Sequence, residues 1–229
     1  MAPLNDVVVH LYHVMEQYHA PEARGQSTMI TGIVLMAIAV LLVINRFHVH
    51  CFTGRTPGFD DYLIVSSLVF CVAMNGVNTA AIQYGYGKHV SDVPKHDMNI
   101  ALKLFYCFQV LYKCTINLTK VSIVLLYRRI FVTRFIFRLV CDYIVCLVAT
   151  FAVASIFASI FQCMPVSRAW DRSIPGTCID FAAFWNANGA WDILTDAMIL
   201  TLPLPLLHTL GLPTQQRIGL VAIFTLGFL

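Results

Sequence analysis

Five long apolar runs constrain this chain more than any other feature of its sequence. Each run carries few charged residues and is long enough to cross about 30 Å of hydrocarbon at about 1.5 Å per residue. We therefore predict an all-α fold, a polytopic bundle of transmembrane helices with the lipid bilayer as its surroundings. The runs lie at residues 27–45, 62–82, 100–127, 143–162 and 181–207.

A sixth apolar run begins at Ile218 and stops with the chain at Leu229. This run reaches about 18 Å, which is too short to cross a bilayer. We interpret the sequence as truncated within a helix, and a re-entrant last segment is the alternative. The predicted organisation is an extracellular N-terminal tail at residues 1–28 and one transmembrane domain, incomplete at its C-terminus, at residues 29–229.

The composition excludes two broad classes of protein. Hydrophobic residues make up 59% of the chain and charged residues 12%, whereas a soluble domain carries roughly 25% charged residues. There is too little polar surface to cover a water-soluble globule. The net charge of +3 is small and its positions are scattered, so we expect no nucleic-acid partner.

A cluster of arginines predicts the orientation of the chain. The segment between the third and fourth runs contains Arg128, Arg129, Arg134 and Arg138 with no acidic residue among them. Because cytoplasmic loops are enriched in Lys and Arg, this basic loop is expected in the cytoplasm and the N-terminus outside. We expect a multi-pass protein, of the plasma membrane, that meets a cytoplasmic signalling partner through this loop.

Charged and amide side chains recur at helical spacing within two of the runs. Such groups are costly in lipid and usually face the interior of a bundle. At similar distances from their helix starts, the third and fifth runs carry opposite charges, so we predict an ion pair between Lys113 or Lys120 and Asp192 or Asp196. Two interpretations remain open, a clasp that fixes packing and a polar cavity that binds a ligand or ion. The polar residues are Gln109, Lys113, Asn117 and Lys120 in the third run and Asn188, Asp192 and Asp196 in the fifth.

Two of the eight cysteines lie in the loop that is expected outside. Cys163 and Cys178 flank a stretch that contains Pro165, Pro175 and Gly176 and can fold back on itself. In an oxidising compartment, a disulfide closing this loop is favourable by about 3 kcal/mol. The alternatives are two free thiols or a bond to Cys107.

Familiar catalytic signatures are absent from the sequence. It contains no G-x-S-x-G, no H-E-x-x-H and no G-x-x-x-x-G-K-[ST]. Its two intramembrane aspartates share one helix, without the glycine-rich context of intramembrane proteases. We therefore expect neither enzymatic activity nor a metal site.

Short motifs occur in a fixed order between residue 58 and residue 229. They are GFDDY at 58–62, YGYGKH at 84–89 with DVP at 92–94, LTKVSI at 118–123, YRRIF at 127–131, CMP through WD at 163–171, GTCID at 176–180, TD at 195–196, LPLP at 202–205, and LP through Gly219 at 212–219 with Phe224 and Gly227. In these motifs the chain resembles the fungal rhodopsin-like integral membrane family. This family includes satratoxin-cluster membrane proteins and appressorial receptor-like proteins.

The resemblance implies a seven-helix bundle with its N-terminus outside. The chain departs from that pattern because it lacks the rest of the sixth helix and the whole seventh. The missing part includes the position where microbial rhodopsins carry their retinal lysine, and Lys113 and Lys120 lie on the third helix instead. We therefore expect no retinal and no other cofactor.

Three functions are compatible with these features. The first is a receptor-like sensor whose third and fifth helices form a cavity, open to the outside, for an unknown small molecule. The second is a transporter or channel accessory with the Lys/Asp residues as an ion or proton relay. It is disfavoured because Pro203 and Pro205 have no counterpart elsewhere in the chain. The third is a membrane scaffold that binds no ligand.

Overall fold

The computed structural model describes residues 21–53, 58–85, 93–131 and 134–203. Within these ranges the chain forms five long α-helices, as the apolar runs predicted. A hairpin of two short strands, β1 and β2, with a 3₁₀ turn between them, joins α4 to α5. The helices are α1 (Pro21–Thr53), α2 (Phe59–Gln83), α3 (Lys95–Ile130), α4 (Phe135–Ile160) and α5 (Phe181–Thr201), and the loop elements are β1 (Cys163–Met164), the 3₁₀ turn (Val166–Ala169) and β2 (Thr177–Cys178).

Four of the helices are long and apolar enough to cross a membrane, namely Ser27–Val49 within α1 and the whole of α2, α3 and α4. The fifth helix has 21 residues and a similar reach of about 31 Å. Its aspartates and asparagines lower its hydropathy, so length and composition alone do not place it in this group. The all-helical membrane bundle predicted from the sequence is confirmed.

The ends of the helices differ from those of the apolar runs: several helices are longer than their runs, and the fifth is shorter than the predicted 181–207. The fourth starts at Phe135, because the amphipathic segment before residue 143 continues the helix. The fifth ends at Thr201, ahead of Pro203, because proline lacks the backbone N–H that a helix interior needs. The predicted run at 218–229, residues 204–207 and the first 20 residues of the predicted tail lie outside the described residues.

The third helix occupies the centre of the bundle. It packs most extensively against α2, next against α4, and over a shorter stretch against α5, while α1 packs against α2. Ser67 of α2 is 3% exposed and bonds to α3 through the Thr115 carbonyl and the Thr119 hydroxyl. Such small polar residues allow close helix contact inside a membrane. The apolar core joins α3, α4 and α5 and comprises Val124, Tyr127, Phe137, Cys141, Ile144, Val148 and Ile199.

The α4–α5 loop is closed by the predicted disulfide. The strand residues Cys163 and Cys178 face each other across the antiparallel pair β1–β2, and their sulfurs are bonded. The disulfide is therefore confirmed, and the alternative bond to Cys107 is wrong. We call this side of the bundle the disulfide end, and the side with Arg128 and Arg129 the arginine end.

Candidate functional site

A buried polar stripe runs along α3. Gln109, Lys113, Asn117 and Lys120 are each 4–7% exposed. Their spacing of three or four residues places them on one face of the helix, and that face is turned toward α5. The structure thus brings the two lysines of this stripe against Asn188, Asp192 and Asp196 of the fifth run. Asn117 instead donates to the Lys113 carbonyl within α3 at 2.8 Å.

Lys113 contacts α5 through an amide and an aromatic ring. Its Nζ donates a hydrogen bond of 2.5 Å to Asn188 Oδ1 and lies 5.2 Å from the centre of the Phe184 ring. The Asn188 amide nitrogen is itself used, because it donates to the Phe184 carbonyl at 2.7 Å. Within the described ranges, no carboxylate lies within ion-pair distance of the Lys113 ammonium.

Lys120 is held by a much denser set of acceptors. Its Nζ lies 2.9 Å from Asp192 Oδ1, 3.3 Å from Asp196 Oδ1 and 2.8 Å from Thr195 Oγ1, and it also donates to the Asp192 carbonyl at 3.2 Å. Of the ion pairs that the sequence allowed between the two helices, the structure contains these two. The Asp192 side chain is 23% exposed and that of Asp196 is 52% exposed, so Asp192 is the more shielded partner.

Thr195 is a member of this site that the sequence analysis did not name. It is 2% exposed, and its hydroxyl donates to the Trp191 carbonyl at 2.9 Å. The single hydroxyl proton is thereby used, which leaves a lone pair to accept from Lys120. The signal was available, since residue 195 follows residue 188 by seven positions and shares its helix face.

The position of α3 along its axis relative to α5 differs from the prediction. Distances from the predicted helix starts placed Lys113 beside Asp192 and Asp196, but Lys113 is level with Asn188. The reason is that α3 projects past α5 at the disulfide end. There the Tyr106 hydroxyl bonds to the Ile160 carbonyl at 2.8 Å, and Lys103 lies 5.8 Å from the ring centre of Trp170 in the α4–α5 loop.

A second buried ionic cluster ties three helices together at the arginine end. Asp60 and Asp61, at the start of α2, are 3% and 1% exposed. Arg46 of α1 bonds to Asp60 Oδ2 at 2.5 Å and to Asp61 Oδ1 at 2.7 Å. Arg129 of α3 lies 3.3 Å from both carboxylates. In the sequence the two aspartates are recognisable only as part of the GFDDY motif, and this motif predicted no ion pair.

The cluster is also fastened to the backbone of α2 and to α3. Asp61 Oδ2 accepts a hydrogen bond of 2.8 Å from the Gly58 backbone N–H, which satisfies one of the amides left open at a helix start. The Ser122 hydroxyl donates to the Asp60 carbonyl at 2.8 Å. Carboxylates at this position also complement the positive end of the helix dipole.

The four arginines predicted as one basic loop have different environments. Arg128 and Arg129 lie in the last turn of α3, where Arg128 pairs with Asp142 of α4 at 2.7 Å and Arg129 with the two aspartates. Arg134 precedes α4 and is exposed, and Arg138 lies within its first turn. Over the described part of the chain, neither of these two side chains forms a hydrogen bond or ion pair.

Within the ranges that the structure describes, no three His, Cys, Asp or Glu side chains lie close enough to hold a metal ion. The chemistry of the α3–α5 site is therefore that of ammonium, amide, hydroxyl and carboxylate groups, which can recognise charge and hydrogen-bonding groups.

The sequence is similar to a known family and to several proteins of fungi. The family model described as the Fungal rhodopsin domain matches residues 45–229. A SAT4 family membrane protein of Emericella nidulans is 29% identical over 76% of this chain and 43% of its own length. A polyenoic acids biosynthesis gene cluster protein of Metarhizium anisopliae is 26% identical over 93% of this chain and 59% of its own length.

A third relative, Fugralins biosynthesis cluster protein 2 of Gibberella zeae, is 30% identical over 63% of this chain and 38% of its own length. The chain spans about half the length of the curated relatives it matches. No solved structure matches it.

Proposed function

The chain belongs to the fungal rhodopsin domain family of multi-pass membrane proteins, and on that basis we propose that it is a receptor-like sensor of a small molecule. The site is the polar stripe of α3 opposite α5. In this proposal the disulfide end faces the outside of the plasma membrane, and the arginine end faces the cytoplasm and a signalling partner. One observation carries the proposal, namely the incomplete hydrogen bonding of the buried Lys113.

An ammonium group has three donors, and Lys113 uses one of them on Asn188. The Gln109 side chain, one turn closer to the disulfide end, is 4% exposed and has no hydrogen-bond partner among residues that the structure describes. Buried polar groups in native proteins are nearly always bonded. Among the described residues, two donors of Lys113 and the whole Gln109 amide have no partner. Their position on adjacent turns of one helix face favours a binding site for a molecule that supplies acceptor atoms.

Lys120 has the opposite character. Two carboxylates, a hydroxyl and a carbonyl surround its ammonium, which leaves no donor for a ligand. The sequence left two interpretations open, a clasp and a ligand site, and each applies to a different lysine. In our proposal Lys120 is the clasp that fixes α5 on α3, and Lys113 is the group that meets the ligand.

The ligand class follows from the charge of Lys113. A carboxylate complements a buried ammonium through a charge-assisted hydrogen bond. One relative is named for a polyenoic acids biosynthesis gene cluster, and such acids combine a carboxylate with an apolar chain suited to a site inside a membrane bundle. We propose a carboxylate-bearing molecule of this kind.

A stability measurement tests the role of Lys113 without a ligand. The variant Lys113→Met removes a buried charge that lacks a carboxylate partner, so we expect its free energy of unfolding in detergent micelles to be unchanged or higher. The matched variant Lys120→Met should lose several kcal/mol (about 3–5) because it leaves the partly buried Asp192 carboxylate unpaired. Equal losses in both variants would make Lys113 a packing residue and favour the scaffold.

A binding measurement then tests the sensor. The full chain in nanodiscs is heated with a conjugated polyenoic acid and, separately, with its methyl ester. We expect the acid alone to raise the unfolding temperature, and Lys113→Gln to remove that rise. The exposed Lys95 at the start of the same helix provides the control, since Lys95→Gln should keep the rise. The same shift with acid and ester would contradict recognition by charge, and accumulation of the acid inside proteoliposomes would favour a transporter.

A further inference from the structure

A cleft of about 340 Å³ opens at the arginine end, where α2 begins, α3 ends and α4 begins. Its volume falls in the range of small-molecule sites, about 300–1,000 Å³. Three arginines from two helices converge on it. The lining residues are Gly58, Phe59, Asp60, Leu125, Arg128, Arg129 and Arg138, and we call this space the arginine cleft.

The positive charge of the arginine cleft is only partly neutralised. Its one acidic residue, Asp60, already accepts from Arg46 at 2.5 Å and from Arg129 at 3.3 Å. Arg128 pairs with Asp142 through Nε, so its two terminal amino groups stay available. Over the described residues, the Arg138 side chain has no partner. The planar guanidinium of an arginine can donate two parallel hydrogen bonds to the oxygens of one phosphate group.

A large apolar side chain lines the cleft beside the arginines. Phe59 is 72% exposed, and in a multi-pass membrane protein such a residue faces lipid. Because the cleft lies where α2 and α4 begin and α3 ends, its arginines and Phe59 lie near the ends of the membrane spans, where headgroups meet acyl chains. A free phosphate would use the arginines alone, whereas a phospholipid would use both.

We propose that the arginine cleft binds the phosphate group of an anionic phospholipid. Arg138 and Arg128 donate to the phosphate oxygens, and Phe59 lies against the first part of the acyl chains. Lipids of this charge are enriched in the cytoplasmic leaflet, the leaflet to which the basic segment is assigned. The site is separate from the α3–α5 polar stripe, and of the proposed function it rests only on the orientation that places the arginine end in the cytoplasm.

The test uses the full chain in nanodiscs of phosphatidylcholine alone and of phosphatidylcholine with phosphatidylglycerol. We expect the anionic lipid to raise the unfolding temperature and to stay bound in native mass spectrometry. Arg138→Gln should weaken its apparent affinity at least about tenfold. Arg134 lies one turn away, is exposed and does not line the cleft, so Arg134→Gln should keep the affinity of the unchanged chain.

Two further comparisons distinguish specific binding in the arginine cleft from general attraction to a charged surface. Arg138→Lys retains the charge but loses the planar fork, so an intermediate affinity is expected. It also replaces Arg138→Gln if that variant does not fold in phosphatidylcholine discs. Equal loss of affinity in Arg134→Gln and Arg138→Gln would overturn the proposal, because it would show general attraction to a charged surface. A shift of the same size with inorganic phosphate in phosphatidylcholine discs would assign the cleft to soluble phosphate and overturn the lipid.

Discussion

The ammonium of Lys120 lies 2.9 Å from Asp192 Oδ1, across 72 residues of sequence, and joins α3 to α5. Lys120 is 4% exposed, so little water reaches this pair. Removing one partner of a buried ion pair leaves the other charge without compensation, which costs much more than the pair itself contributes. The fifth helix therefore depends on this contact for its place in the bundle.

We expect Asp192→Leu to lower the free energy of unfolding by about 1.5–3 kcal/mol, because Lys120 keeps Asp196 and Thr195 as acceptors, measured as an unfolding equilibrium in mixed micelles. Asp196→Leu should cost about 1 kcal/mol or less, because that carboxylate is half exposed and screened. The double variant Lys120→Met/Asp192→Leu should lose less than the sum of the single losses, with a coupling of about 0.5–3 kcal/mol. Additive losses would contradict a direct pair.

At the arginine end, we expect Asp61→Ala to be among the most destabilising changes in α2. Asp61 is 1% exposed and accepts from Arg46 and from the Gly58 backbone N–H, so both donors lose a partner and a loss of about 3–5 kcal/mol follows. The measurement is thermal unfolding, with Asp97→Ala as the control for loss of a carboxylate outside the cluster. The Asp97 side chain is 40% exposed, and its replacement should cost about 0.5 kcal/mol. Similar losses in the two variants would show that the ionic cluster does not stabilise the fold.

Reduction of the disulfide should destabilise the chain by about 3 kcal/mol, because the bond closes a loop with a sequence separation of 15. Cys163→Ser/Cys178→Ser should show the same loss in unfolding experiments and no further response to reductant. Alkylation of the denatured chain, followed by intact mass measurement, checks the bond itself. Prior reduction should add two alkyl groups, and an unchanged mass would show that the thiols are free.

Two glycines of α2 and its end provide a backbone test. Gly85 has a φ of +88°, and a Cβ there would lie 2.9 Å from Val93 Cγ2, so Gly85→Ala should cost at least about 1 kcal/mol. Gly76 lies within the helix with nothing within 4 Å of a Cβ, and Gly76→Ala should be stabilising by up to about 1 kcal/mol. The two variants are compared by their unfolding temperatures in the same detergent. A larger loss of stability for Gly76→Ala than for Gly85→Ala would contradict the positive φ of Gly85 and the helical position of Gly76.

Local patterns determined the helices and much of the candidate site. Apolar length predicts a membrane span because every residue adds the same rise, and a spacing of three or four residues predicts a shared face because the helix repeat is constant. These rules placed Gln109, Lys113, Asn117 and Lys120 on one side of α3. The same locality explains the disulfide, since its two cysteines flank one short loop.

The partner of each charge was decided by tertiary structure. Which lysine meets an aspartate depends on how far α3 slides along α5, and that offset is set by the packing of the α4–α5 loop over Tyr106 and Lys103. In the same way, Asp60 and Asp61 meet Arg129 across 69 and 68 residues because three helix ends converge. Periodicity specifies the direction in which a side chain points, whereas the height and identity of its neighbour follow from the packing of whole helices.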